Sequence, residues 1–169
     1  MHRIEKTIVV TLLALLLCSA KSVAQQNSVS GCVQVYDAIG QYIGVLLERG
    51  RLQDEVVVFI PGLSKFASIK QATGDIESTN LTYAANGCAG IAYFAGGVDF
   101  IRKCNGKYYV GGTEAKSIPR VSTELANGEC LQWAPVYDKL ADMFAATEIP
   151  ESLIPFTLPV NLPLRYECQ

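Results

Sequence analysis

The sequence predicts an all-β fold, an antiparallel meander of short hairpins that forms an open or closed barrel or a sandwich. Segments rich in β-branched and aromatic residues recur at intervals of about ten residues. Turn signals separate them, among them Pro61-Gly62, Asn86-Gly87 and Asn105-Gly106. Even spacing of short strands with turn residues between them is typical of such meanders.

Residues 1–24 have the pattern of a secretory signal peptide. A charged start precedes an apolar run over residues 8–17, and small residues lead up to Ala24. We expect cleavage after Ala24, which leaves a single β-domain over residues 25–169 with no membrane span. Two alternatives stay open, a retained anchor, although the run has about half the length that a spanning helix needs, and a lipoprotein attached through Cys18.

The charge balance restricts the partners. Removal of residues 1–24 takes away Arg3, Lys6, Lys21 and Glu5 and leaves 11 basic and 15 acidic residues. Nucleic acid and anionic lipid are unfavourable partners for such a chain, because both need a concentrated positive face.

The only histidine, His2, lies in the removed segment. Its loss excludes Ser-His-Asp and Cys-His catalysis, histidine acid-base chemistry and the usual zinc sites. We therefore expect no metal site and no cofactor, and the sequence favours a protein that is not an enzyme.

The opening hairpin can be registered from its turn. The sequence Asp37-Ala38-Ile39-Gly40-Gln41 is typical of a three-residue loop with Gly40 in the left-handed conformation and Asp37 accepting hydrogen bonds from the turn amides. Counting outward places Tyr36 opposite Tyr42 on an outer face. The same count places Val35 opposite Ile43, and Val33 opposite Val45, on the core face.

Further strands follow at similar intervals. Residues 55–60 predict a buried strand that residues 61–64 reverse into a strand over 65–70, so that Phe59 faces Phe66. The remaining expected strands lie at residues 81–83, 91–94, 98–103, 108–110, 117–123 and 130–133.

Five cysteines remain in the mature chain, and cysteines of secreted proteins are normally oxidised to disulfides. Centring one hairpin on its Gly-Gly turn places Cys88 opposite Cys104, within disulfide reach. Cys32 and Cys168 lie near the two ends of the domain, so we expect a second bridge there and a free thiol at Cys130. Other pairings stay open, because the sequence does not choose among them.

The last third of the chain is less regular. Val136, Leu140, Met143 and Phe144 fall at helical spacing and predict at most one short helix near residues 135–145. From residue 155 onward, prolines recur every fourth residue. This spacing favours an extended C-terminal segment over 155–169, either an edge strand or a polyproline-like strap.

Two sets of side chains could carry a function. Tyr36 and Tyr42 could form an outer aromatic platform for a sugar or peptide, with Tyr108, Tyr109 and Trp133 as its extension, although a cross-strand aromatic pair also stabilises a sheet by itself. A hydrolase of envelope glycans would need two carboxyl groups flanking one cleft. The available carboxylates are Asp37, Asp75, Asp99, Glu114 and Glu129, and turn capping also explains Asp37 and Asp75.

Four segments of the chain, residues 33–44, 58–66, 87–93 and 155–166, resemble a group of uncharacterised secreted bacterial proteins. They read VQVYDAIGQYIG, VFIPGLSKF, GCAGIAY and PFTLPVNLPLRY. Similar domains follow collagen-like repeats in some bacterial surface proteins, and residues 1–30 contain no such repeat. The resemblance implies a secreted or surface domain and implies no activity or site residues.

These observations predict a secreted, non-enzymatic binding or structural module of the bacterial periplasm or cell surface, whose partner is a protein or glycan of the envelope. One alternative is a barrel that carries a small apolar ligand between Val35, Ile43, Phe94 and Phe100. The other is the carboxylate-based hydrolase.

Overall fold

The computed structural model describes residues 32–49 and 54–168, so the expected signal peptide lies outside the described residues. The fold is all-β, as predicted, and the described part holds ten strands and two single 3₁₀ turns, at Asn86–Cys88 and Glu151–Leu153. The strands are β1 (Val33–Tyr36), β2 (Tyr42–Arg49), β3 (Glu55–Ile60), β4 (Lys65–Lys70), β5 (Leu81–Tyr83), β6 (Ala92–Ala95), β7 (Phe100–Cys104), β8 (Lys107–Glu124), β9 (Cys130–Ile149) and β10 (Arg165–Cys168).

All ten strands belong to one sheet, in the order β10-β1-β2-β3-β4-β7-β8-β5-β6-β9. Strands β1 to β4 form the expected antiparallel meander, but β7 then lies parallel to β4, with Phe66 paired to Phe100. Strands β5 and β6 connect β8 to β9, which also pair directly with each other. The sheet is therefore mixed, and its second half closes into a small ring.

The main core lies on one face of the first half of the sheet. In β3, Val56, Val58 and Ile60 alternate with half-buried residues and are fully buried. This alternation is expected for a strand with one face against a core. Strands β1, β2, β4 and β7 add Val35, Ile43, Ala67, Ile69 and Ile101 to the same cluster.

The proline-spaced C-terminal segment packs on this core face. Ile154, Phe156 and Val160 belong to the same buried cluster as β3. The Val160 amide donates to the Gly74 carbonyl at 2.8 Å, and the Ala38 amide donates to the Asn161 carbonyl at 2.8 Å. Prolines leave few backbone donors, so these two bonds and the apolar contacts attach the segment before it continues into β10, beside β1.

The first hairpin has the expected turn and a different register beyond it. Asp37 pairs with Gln41 through a 2.9 Å backbone bond, Gly40 has a φ of 89°, and Tyr36 lies opposite Tyr42. Beyond Tyr36 the ladder shifts by one residue, so that Val35 faces Gly44. The predicted pairs of Val35 with Ile43 and Val33 with Val45 are therefore wrong, because a bulge inserts one extra residue into β2.

The helix predicted near residues 135–145 is wrong, since this stretch belongs to β9. Leu140 pairs with Ile118, Met143 with Lys116 and Phe144 with Ala115 in the ladder between β8 and β9. Four apolar residues at helical spacing are a weak local signal. Backbone pairing with β8 on one side and β6 on the other satisfies the same amides, and this tertiary context overrides the local preference.

The predicted cysteine pairs are also wrong. Cys88 forms a disulfide with Cys130, whereas Cys32, Cys104 and Cys168 are free thiols. The reason is that β6 pairs with β5 and β9 and not with β7, so Cys88 and Cys104 do not lie opposite each other in a ladder. Val33 lies opposite Cys168, and β1 is thus tied to β10 by backbone hydrogen bonds.

Gly44 is required where β3 passes closely over the bulge. A methyl group on Gly44 would overlap the carbonyl oxygen of Phe59, a backbone atom that cannot move aside. We expect Gly44→Ala to destabilise the domain by about 3 kcal/mol in urea unfolding. Gly62→Ala is the matched control because nothing lies within 4 Å of its added methyl group, and it should leave the unfolding midpoint nearly unchanged. Equal midpoints for the two variants would contradict this packing.

Candidate functional site

Five aromatic rings lie on the face of the sheet opposite to the core. Tyr36 is paired with Tyr42, Phe59 with Phe66, and Phe66 with Phe100. Paired residues in a ladder share a face. Gln34, two residues before Tyr36, pairs with Val45, which pairs with Phe59, and this chain of pairs places both tyrosines and the three phenylalanines on one side. We call these five side chains the aromatic face.

The rings contact their neighbours across the strands. The ring centroids are 5.5 Å apart for Tyr36 and Tyr42, 5.3 Å for Phe59 and Phe66, and 5.5 Å for Phe66 and Phe100. The planes are tilted by 43° to 58°. All five side chains are half-buried, so each presents part of its ring to solvent. The result is a ridged apolar surface across β1, β2, β3, β4 and β7.

Polar groups border the aromatic face at both ends. The Tyr36 hydroxyl donates to the Gln34 side chain, and burial, together with the nearby Tyr36, raises the pKa of Tyr42. At the other end the Arg102 guanidinium lies 5.0 Å from the centroid of Phe100 and forms an ion pair with Glu77. The rings are therefore bordered by groups that can form hydrogen bonds and salt bridges at a rim.

The other aromatic residues predicted for the platform lie elsewhere. Tyr108 and Tyr109 are buried, in separate apolar clusters, so they do not extend the aromatic face. Trp133 lies on β9, which pairs with β8 and β6 and not with the strands that carry the aromatic face. Sequence reasoning missed Phe100 as part of the aromatic face. Its place there depends on the parallel pairing of β7 with β4, which no local sequence pattern indicates.

The carboxylates proposed for hydrolysis are engaged in other contacts or exposed on the surface. Asp37 is fully buried in the first turn, Asp75 pairs with Lys103 at 2.6 Å, and Asp99 pairs with Lys65 at 2.8 Å. Glu114 and Glu129 are exposed. In the described ranges, no cluster of three or more His, Cys, Asp or Glu side chains could hold a metal ion.

Asp37 holds the opening turn to the C-terminal segment. One carboxylate oxygen accepts hydrogen bonds from the amides of Ile39 (3.0 Å) and Gln41 (2.7 Å). The other accepts from the Asn161 backbone (3.4 Å) and side chain (3.0 Å). Burial acts to raise the pKa of Asp37, but these hydrogen bonds outweigh it and lower the pKa below the ordinary value.

Two buried groups in the second half of the sheet, the Cys104 thiol and the Tyr83 hydroxyl, have raised pKa values. Burial and the neighbouring Glu124 raise the pKa of the Cys104 thiol to about 11, so it stays protonated at neutral pH. Burial also raises the pKa of Tyr83, whose hydroxyl donates to Glu124 at 2.7 Å. Neither group has the lowered pKa of a nucleophile.

The residues expected to line a carrier cavity fill the core. Val35, Ile43 and Phe94 are at most 1% exposed and pack within buried clusters, while Phe100 belongs to the aromatic face. A shallow groove of about 350 Å³ lies instead beside the C-terminal segment. It is lined by Gln71, Leu162, Pro163, Leu164 and Tyr166.

The two 3₁₀ turns are the only helical segments within residues 32–49 and 54–168, and neither could span a membrane. Comparisons with known protein families, with curated proteins and with solved structures find no match.

Proposed function

We propose that this chain is a secreted, non-enzymatic binding module of the bacterial periplasm or cell surface, and that its aromatic face binds a protein of the envelope. The observation that carries the proposal is the asymmetry of the first half of the sheet. The C-terminal segment covers one face with Ile154, Phe156 and Val160, while the opposite face presents five half-buried rings.

The size and composition of the aromatic face favour a protein partner. Strands lie about 4.8 Å apart, so the five strands that carry the rings span about 19 Å, which suits one side of a standard protein interface. Tyrosine, phenylalanine and arginine are enriched in the centres of such interfaces. The tilted rings form ridges, whereas the flat face of a sugar ring stacks best on an open coplanar ring.

Two further observations support the compartment and the lack of catalysis. The disulfide between Cys88 and Cys130 is typical of chains that fold outside the reducing cytoplasm. Residues 3–169 contain no histidine, and the carboxylates proposed for hydrolysis serve turns and ion pairs or lie exposed.

Site-specific photo-crosslinking tests the proposal. Benzoylphenylalanine, an enlarged phenylalanine, is placed at Phe66 in the middle of the aromatic face, and the cells are irradiated. We expect one dominant crosslinked protein. Leu153 is the matched control, because it is apolar and 52% exposed but lies in the 3₁₀ turn Glu151–Leu153, outside the aromatic face. Equal crosslinking from Leu153, or none from Phe66, would contradict the proposal.

Once the crosslinked partner is purified, its affinity for the Phe66→Ala variant measures the contribution of the aromatic face. Central aromatic residues of an interface cost about 2 kcal/mol or more when truncated, which corresponds to about thirtyfold weaker binding. Circular dichroism of the variant verifies that the sheet is retained. An unchanged affinity would remove the aromatic face as the binding surface.

A further inference from the structure

The Arg120 guanidinium on β8 lies over the indole ring of Trp133 on β9. The guanidinium carbon is 3.6 Å from the centroid of the indole ring, which is stacking distance. The Arg120 Nε–H donates to the Thr123 hydroxyl at 3.2 Å, and the Trp133 Nε1–H donates to the same oxygen at 2.9 Å. Because Thr123 is buried, both side chains are anchored to one fixed atom.

Among the described residues, no ion pair joins Arg120 to an acidic side chain, and the same holds for Arg165, whose Nε–H donates to the Asp37 carbonyl. Lys65, Arg102, Lys103 and Lys107 each form an ion pair with an acidic side chain. Among the described residues, no side chain pairs with the two terminal nitrogens of Arg120. The Thr123 bond uses the Nε–H and not the terminal nitrogens. The fork of a guanidinium matches the two oxygens of a carboxylate.

The backbone that carries this pair is rigidly held. The disulfide between Cys88 and Cys130 joins the 3₁₀ turn to the start of β9. The Ser122 hydroxyl accepts from the Cys88 amide at 3.0 Å and donates to the Ala85 carbonyl at 2.6 Å. A site whose donors are fixed before binding loses little entropy when a ligand arrives.

The surroundings favour a sugar over an extended peptide. Pro119 and Pro135 flank the pair on the two strands and are exposed. Because proline has no backbone donor, they weaken this part of the ribbon as a template for an added strand, the usual mode of peptide recognition at a sheet edge. Val136 is 47% exposed and offers an apolar surface to the carbon-bound hydrogens of a sugar ring.

We propose that Arg120, held on Trp133, binds the carboxylate of a uronic acid residue in an acidic glycan. The site is independent of the aromatic face, since it lies on β8 and β9, and it does not rest on the function proposed for that face. The recognition is a bidentate pair of charge-assisted hydrogen bonds to a preoriented guanidinium.

Trp133 is the only tryptophan of the chain, so its fluorescence reports on this site alone. The protein is titrated with a galacturonic acid trisaccharide, with the corresponding neutral galactose trisaccharide, and with a short acetylated peptide rich in glutamate. We expect a saturable change with the acidic sugar and little change with the other two. Equal binding of the neutral sugar, or preferential binding of the peptide, would overturn the proposal.

Three variants test the role of the guanidinium. Arg120→Gln should weaken binding of the acidic trisaccharide by about tenfold or more, because it removes charge-assisted hydrogen bonds. Arg120→Lys keeps the charge but loses the planar fork, so it should be weakened nearly as much. Lys116→Gln removes an exposed charge on the same strand and should bind like the original protein. If Lys116→Gln lost as much affinity as Arg120→Gln, nonspecific charge attraction would explain the binding and the proposal would fail.

Discussion

Replacement of Asp37 by alanine is expected to destabilise the domain by about 4 kcal/mol, because the buried carboxylate satisfies several donors at once. The substitution leaves the amides of Ile39 and Gln41 and the amide groups of Asn161 without their acceptor. Thermal unfolding should show a fall in melting temperature of about 10 °C. Asp99→Ala is the control, since the carboxylate there is half exposed in a surface ion pair and its loss should cost less than about 1 kcal/mol.

The same carboxylate gives stability a defined dependence on pH. The folded-state pKa of Asp37 is lower than its unfolded value, so the ionised form is favoured by folding. This contribution is fully present above the ordinary aspartate pKa and is lost as the pH falls through the folded-state value. Urea unfolding between pH 5 and pH 2 should therefore show a steeper loss of stability for the original protein than for Asp37→Asn. Parallel curves would show that Asp37 is not the group that titrates.

Removal of the disulfide should have an effect of similar size. Cys88 and Cys130 are separated by 42 residues, and a loop of that length corresponds to about 4 kcal/mol in the chain-entropy treatment. The double variant Cys88→Ser and Cys130→Ser should unfold at correspondingly lower urea. Cys168→Ser, which changes an exposed free thiol, should leave the unfolding midpoint unchanged.

A count of thiols checks the pairing itself. With residues 1–24 removed and the chain denatured, three thiols should react, those of Cys32, Cys104 and Cys168. In the folded protein Cys168 should react readily, whereas Cys104 should be protected by burial and by its raised pKa. A single reactive thiol after denaturation would mean that a second disulfide forms, against the structure.

Local chemistry made part of this fold predictable. The turn at Asp37 and Gly40 fixes Tyr36 opposite Tyr42, and the turn at Pro61 fixes Phe59 opposite Phe66, because a tight turn sets the register of the strands that it joins. Four of the five rings of the aromatic face could thus be derived from hairpins.

The remaining contacts join residues distant in sequence. Phe100 reaches Phe66 only through a parallel pairing after a crossover, and Arg120 meets Trp133 only because β8 and β9 form one long ladder. The same ladder turned a stretch with helical spacing into strand and brought Cys130 beside Cys88. Such contacts depend on which strands become neighbours, and short periodic patterns carry no information on that choice.

The sequence by itself therefore determined the all-β class, the hairpin turns and the pair of tyrosines at the start of the aromatic face. These features depend on side-chain alternation and on turn residues within a few positions of one another. Only the tertiary structure decided the mixed strand order, the disulfide, the burial of Asp37 against Asn161 and the placement of Arg120 on Trp133. Those features depend on the packing of segments that lie ten to more than a hundred residues apart, where one strand order is selected by the total area buried and not by any local preference.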